Sequence, residues 1–231
     1  MLKTFLFTGA SLLALLAWPG LPVAATDQRP DDARPVPPAA IAIVPAGAYA
    51  LDLAHASLIF RVNHLGFSNY TARFKRFDAG LQFDPANLAA SKVVASVDVD
   101  SLETDFPDPA KLDFNATLKG EGWLDVARFP RMDFESRQVD MTGVNQVRIH
   151  GDLTLHGVTR PIVLAATFNG GYAGHPMDPN ARIGFSAQGT LKRSEFGITY
   201  GIPAPGTTMG VSDEVEVVIE AEFTGPPLVT K

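Results

Sequence analysis

Histidine is the residue of this 231-residue chain with the widest chemical range. Two of its five histidines, His150 and His156, stand six positions apart in HGDLTLHGVTRPIVLAATF, residues 150–168. A zinc site wants ligands that converge, from close spacing or a helical H-E-x-x-H, and neither pattern occurs. On one extended strand these two would lie about 20 Å apart at ~3.3 Å per residue, so they cannot share an ion. The chain has no cysteine, which excludes a thiolate nucleophile. GFSAQG at 184–189 places its serine in G-x-S-x-x-G, one residue longer than a nucleophile elbow and inside a strand-like run. No glycine-rich phosphate loop or dinucleotide fingerprint is present. Asp105 and Asp108, flanking Pro107, read as solvated loop carboxylates without a paired partner. His64 has two readings: a histidine satisfied at the rim of the fold, or a polar contact for a ligand head group.

The elements that must position these groups repeat with a period of two. In SLIFRVNHL, Leu58, Phe60 and Val62 lead to His64 on one face, with Ile59 breaking strict alternation. VVASVDVDSL sets Val97 and Val99 against Asp98 and Asp100, and RMDFES sets Met132 and Phe134 against Asp133 and Glu135. In DEVEVVIEAEF, Val215, Val217, Ile219, Ala221 and Phe223 form a dry face and the glutamates a wet one. Val147, Ile149, Leu153 and Leu155 share the apolar parity of their strand, which points His150 and His156 outward. GVTR reads as the turn of a hairpin that returns through PIVLAATF. Between Thr104 and Pro130 the looser spacing of Leu112, Ala116 and Leu118 predicts a short helix or two. The pattern describes an all-β chain of about eight strands, enough for a closed antiparallel β-barrel with a short helical insertion.

The first 25 residues carry Lys3, an apolar run from Phe5 to Ala17, breakers, and VAA. They read as a cleavable export signal, which predicts a periplasmic protein. Residues 26–46 are rich in proline and charge and read as an extended leader. One folded domain of 47–225 follows, then a tail of 226–231. The net charge of −6 and the absence of a basic cluster argue against nucleic acid as a partner.

Several motifs are more specific than alternation. YALDLAHASLIFRVNHLGFS, FKRFDAGLQFD, SLETD with LKGEGWLDVARFPRMDFES, GDLTLHGVTRP, KRSEFGI and VSDEVEVVIEAEF occur in order between residues 47 and 223. Together they resemble the YceI-like family of exported lipid-binding proteins. The resemblance implies an extended lipocalin-like barrel without a catalytic centre. It also implies an elongated apolar cavity for a polyisoprenoid chain such as an isoprenoid quinone. No cofactor is expected beyond a bound lipid, and the residue spacing offers no metal site. His64 falls on the histidine of the first motif, and Arg193, Ser194 and Phe196 fall on KRSEFGI. The chain departs from the family pattern in its long leader and in FPDPAKLDFNAT.

On that implication the cavity wall would include Leu58, Phe60, Val62, Phe74 and Phe83 from the first half of the chain. Val97, Val99, Phe134, Leu153, Leu155, Phe168 and Phe185 would complete it, with His64 and Arg193 as polar contacts at the mouth. Arg193 has a second, structural reading, in which its guanidinium bonds backbone carbonyls. Pattern leaves the interior open between two states, because the same phenylalanines would line a tunnel or fill a packed core. A tunnel makes a carrier, and a packed barrel makes an interaction module, for example a partner of a membrane redox protein. A third option is an enzyme using His64 as acid or base. Pairing with a second copy of the chain is compatible with all three.

Overall fold

The computed structural model describes residues 44–228, so the export signal and the leader through residue 43 lie outside the described residues. The strands are β1 Gly47–His64, β2 Ser68–Phe74, β3 Phe77–Phe83, β4 Lys92–Asp98 and β5 Leu102–Glu103, then β6 Arg131–Met141, β7 Gln146–Leu155, β8 Val158–Tyr172, β9 Asn180–Lys192 and β10 Val211–Pro227. One α-helix, α1 Phe114–Lys119, lies between β5 and β6. Every strand pairing is antiparallel, and β10 returns to β1, with Phe60 opposite Val217 and Val62 opposite Val215. That pairing closes eight strands into a barrel, and the remaining edge lies on the short extension formed by β2 and β5.

Eight strands form the closed barrel, and β2 and β5 extend it. Gly47–Ala50 of β1 pairs with β3, whereas Leu58–His64 pairs with β2. β2 and β3 are thus one partner of β1, broken at Lys75–Arg76. β4 and β5 are likewise separated by a 3-10 turn, Val99–Ser101. The period-two segments supply these strands as expected, and the break at Ile59 has a local reason. Ile59 lies opposite Val218, the one apolar residue on the wet face of β10, so two outward apolar side chains meet across strands.

The hairpin turn sits earlier than GVTR. His156 (φ 52°) and Gly157 (φ 73°) form a two-residue turn, and Val158, Thr159 and Arg160 already belong to β8. Two consecutive positive φ values are what the right-handed twist of the flanking strands favours. The expected strand at VVASVDVDSL is also shorter than its alternation suggests. Asp98 accepts a hydrogen bond from the Asp100 N–H, which turns the chain into the 3-10 segment and buries Val99 at 1% exposure. The predicted helical stretch contains α1, capped by the Asp113 carboxylate on the Ala116 N–H at 2.8 Å. Leu118 is its buried contact, whereas Leu112 precedes the helix and is exposed.

Two apolar clusters brace the barrel. One joins Phe74, Val97, Val99, Leu102, Leu118, Leu155, Phe196 and Ile198 beneath α1. The other, at the far end, gathers Val44, Tyr49, Phe83, Phe168, Ala181, Ile183 and Phe223. Val44 is 2% exposed, so the folded unit takes in residues counted with the leader in the sequence. At the other terminus β10 runs to Pro227, past the boundary set at 225.

Candidate functional site

The alternation that builds each strand turns every second side chain toward the barrel axis, and the inward set does not fill the space it encloses. A cavity of about 590 Å³ runs through the interior. Leu58, Phe60 and Val62 of β1 face it, with Phe74 of β2, Phe83 of β3 and Val97 of β4. Phe134, Leu153, Leu155, Phe168 and Phe185 continue the wall through β6 to β9. β10 contributes Val211, Val215, Val217, Ile219, Ala221 and Phe223. From Val211 to Phe223 the wall extends about 40 Å along the strand at ~3.3 Å per residue, or roughly 30 Å along the axis at a tilt near 40°.

Of the predicted wall only Val99 stands outside the cavity, because the 3-10 turn carries it into the packed cluster under α1. Leu58, Phe60, Val62, Leu153, Phe185, Val217 and Ile219 are enclosed by strands yet only half-buried. A close-packed interior would bury these side chains, so their free surface reports a real void.

The two candidate polar contacts differ. His64 ends β1, is exposed, and borders the cavity. Among the described residues no hydrogen bond or ion pair reaches its ring. Arg193 is 5% exposed and binds four backbone carbonyls. Its Nε donates to Ser212 O at 2.9 Å, Nη1 to Ile198 O at 3.1 Å and Tyr200 O at 2.8 Å, and Nη2 to Val211 O at 2.8 Å. Its guanidinium also stands over the Trp123 ring at 5.3 Å. Four of five N–H donors are thereby used, which is the structural one of its two sequence readings. Burial pulls the Arg193 pKa down, and the nearby Asp213 opposes that shift. Asp213 itself accepts from the Ser194 N–H and hydroxyl, both at 2.8 Å, which ties the KRSEFGI motif to β10.

His150 points outward, with Nε2 at 3.1 Å from Asp140. His156 does not share that exposure, contrary to its strand parity. The turn directs Nδ1 to Phe196 O at 3.0 Å, stacks the ring near Phe129 with centroids 4.4 Å apart, and leaves Nε2 buried without a partner. Asp105 is also not alone, because Arg73 pairs with it. These two partnerships span 40 and 32 residues, so local pattern could not show them. Sequence reasoning missed the aromatic lining from the β5–β6 connection as well. Phe106, Phe114 and Trp123 all reach the cavity from outside any strand.

Comparison with known proteins gives a consistent family. A YceI-like domain matches residues 49–223. A UPF0312 protein of Vibrio cholerae serotype O1 is 36% identical over 190 residues, covering 80% of this chain and 93% of that relative. Among solved structures, the YCEI protein of Campylobacter jejuni superposes with a TM-score of 0.58 at 27% identity, over 71% of this chain and 90% of the other. A domain from Saccharophagus degradans, described as a polyisoprenoid binding domain implicated in plant cell wall breakdown, shares the fold. Its TM-score is 0.54 at 16% identity, over 77% of this chain and 98% of that one.

Proposed function

Because the chain belongs to the YceI-like family, we propose that it is a non-enzymatic periplasmic carrier that holds an isoprenoid lipid, an isoprenoid quinone or polyprenyl chain, in its barrel. The observation that carries this reading is the unfilled apolar cavity, walled by Leu, Val, Ile and Phe and long in one direction. Burying a hydrocarbon chain there stabilises the complex by about 2.5 kcal/mol for each 100 Å² of apolar surface removed from water. A linear lipid thus binds without a strong polar contact, and selectivity rests on cavity length and on the few polar groups near its ends. The polyisoprenoid binding described for the Saccharophagus domain of the same fold points the same way. The unfilled interior favours the carrier over the packed-barrel alternative.

Native mass spectrometry of the protein taken from the periplasm without detergent, followed by organic extraction, tests the reading. One isoprenoid lipid per chain is expected. Ala187 lines the cavity, and Ala187→Trp fills part of it without adding charge, so this variant should purify folded and empty. A native protein that stays empty when offered isoprenoid quinones would sink the proposal.

A further inference from the structure

The β1–β10 pairing that closes the barrel contains one large irregularity. Leu51 faces Phe223 and Ala56 faces Ala221, so four residues, Asp52 to His55, stand opposite the single residue Glu222. Asp52 shapes this bulge, because its Oδ1 accepts the Ala54 N–H at 3.0 Å, an Asx-type turn. The result is convergence of three ligand-type side chains. His55 Nδ1 lies 3.0 Å from Asp52 Oδ2 and 3.9 Å from Glu222 Oε2. All three ligand atoms fall within 4.8 Å of one another, the one such group among the described residues.

We propose that Asp52, His55 and Glu222 form a binding site for one divalent cation of the zinc class. The distances carry the first argument. Zinc holds N and O ligands at about 2.0–2.1 Å, which sets neighbouring ligand atoms of a tetrahedron roughly 3.3 Å apart. The measured 3.0 and 3.9 Å bracket that edge, so small side-chain shifts seat the ion. Because a facing imidazole and two carboxylates supply three ligands, the fourth position stays free for water.

Support behind the ligands is the second argument. Arg182 Nη1 donates to Asp52 Oδ2 at 2.7 Å, Arg182 Nε to Asp178 Oδ2 at 2.6 Å, and the Tyr172 hydroxyl to Asp178 at 2.7 Å. A ligating carboxylate oriented by an outer hydrogen-bonded shell is how built metal sites hold geometry. Charge is the third. Asp52, Asp178 and Glu222 against Arg182 leave a formal −2 with His55 neutral, the charge one divalent ion offsets. The imidazole selects among ions, since hard cations such as Mg²⁺ favour all-oxygen sites while zinc and its neighbours accept nitrogen.

Isothermal titration of the chelator-treated protein with zinc chloride at neutral pH tests the site. One Zn²⁺ per chain is expected, with His55→Ala and Glu222→Gln each weakening it by roughly tenfold or more. His150, which faces Asp140 on another strand pair, supplies the control, and His150→Ala should bind zinc as the native protein does. Zinc should raise the melting temperature of the native protein and not of His55→Ala. Absence of zinc binding, native-like affinity in both site variants, or equal competition by Mg²⁺ would overturn the assignment.

Discussion

The two ends of the barrel are both braced by apolar clusters, and one end adds a buried cation. Where β9 hands over to β10, the chain leaves regular pairing for the stretch from 193 to 210, and irregular backbone exposes carbonyls that need donors. A buried cation supplies them: Arg193 collects carbonyls from both sides of the crossing. At the far end most of the strand backbone is paired, with bulges at Asp52–His55 and Asn169. Closure there is apolar, with Phe185 at the centre of a ring cluster. Its centroid lies 5.5 Å from Phe168, 6.2 Å from Phe223 and 6.5 Å from Phe83. The buried cation sits where a long irregular stretch exposes carbonyls, and the cavity lies between two differently braced ends.

That contrast breaks most sharply at Arg193. Arg193→Met keeps the apolar stem and removes every donor, leaving four carbonyls to find water or go unpaired. A loss of about 3–5 kcal/mol in urea unfolding is expected, the scale for stripping one member from a buried charged network. Hydrogen exchange should rise first between residues 197 and 210 while the phenylalanine end stays protected. Equal loosening of both ends would dissolve the distinction.

Removing a ring tests the apolar end. Phe168 is 4% exposed and packs on Phe185, so Phe168→Ala should cost about 3 kcal/mol, the lower part of the range because the site already adjoins a void. The effect should be confined to the far end, and the enlarged cavity should still take an apolar chain. Loss of the Arg193 carbonyl contacts in this variant, read from exchange at 197–210, would contradict independent closure.

Much of this was legible in period-two alternation, because a strand reports its own buried face. Thirteen of the fourteen residues predicted for the cavity wall and mouth do border the cavity. The exception, Val99, obeys the alternation, yet the Asp98 side chain turns the backbone one residue earlier. What stayed hidden depends on distance along the chain. Phe196 is 40 residues from the His156 it engages, and the bulge at Asp52–His55 is defined only by its register against β10. Whether the interior was open or packed was equally invisible, since one set of side chains serves both and only their spacing around the closed barrel decides.

The smallest expected effect separates polar from apolar contributions within the far end itself. Tyr49 lies against Gly225 so closely that a Cβ there would come within 2.0 Å of its ring, and its hydroxyl donates to Pro45 O at 2.7 Å. Burial pushes the phenol up to about 12. A raised pKa means the folded protein holds the proton more tightly, so this stability is complete below pH ~10, the ordinary tyrosine value, and fades as pH climbs toward 12. Tyr49→Phe should therefore cost about 1 kcal/mol at neutral pH, the value of one hydrogen bond. It should also flatten the loss of stability between pH 10 and 12. If the variant instead kept the native alkaline slope, the end would be closed by rings alone, and the tyrosine hydroxyl would be incidental to it.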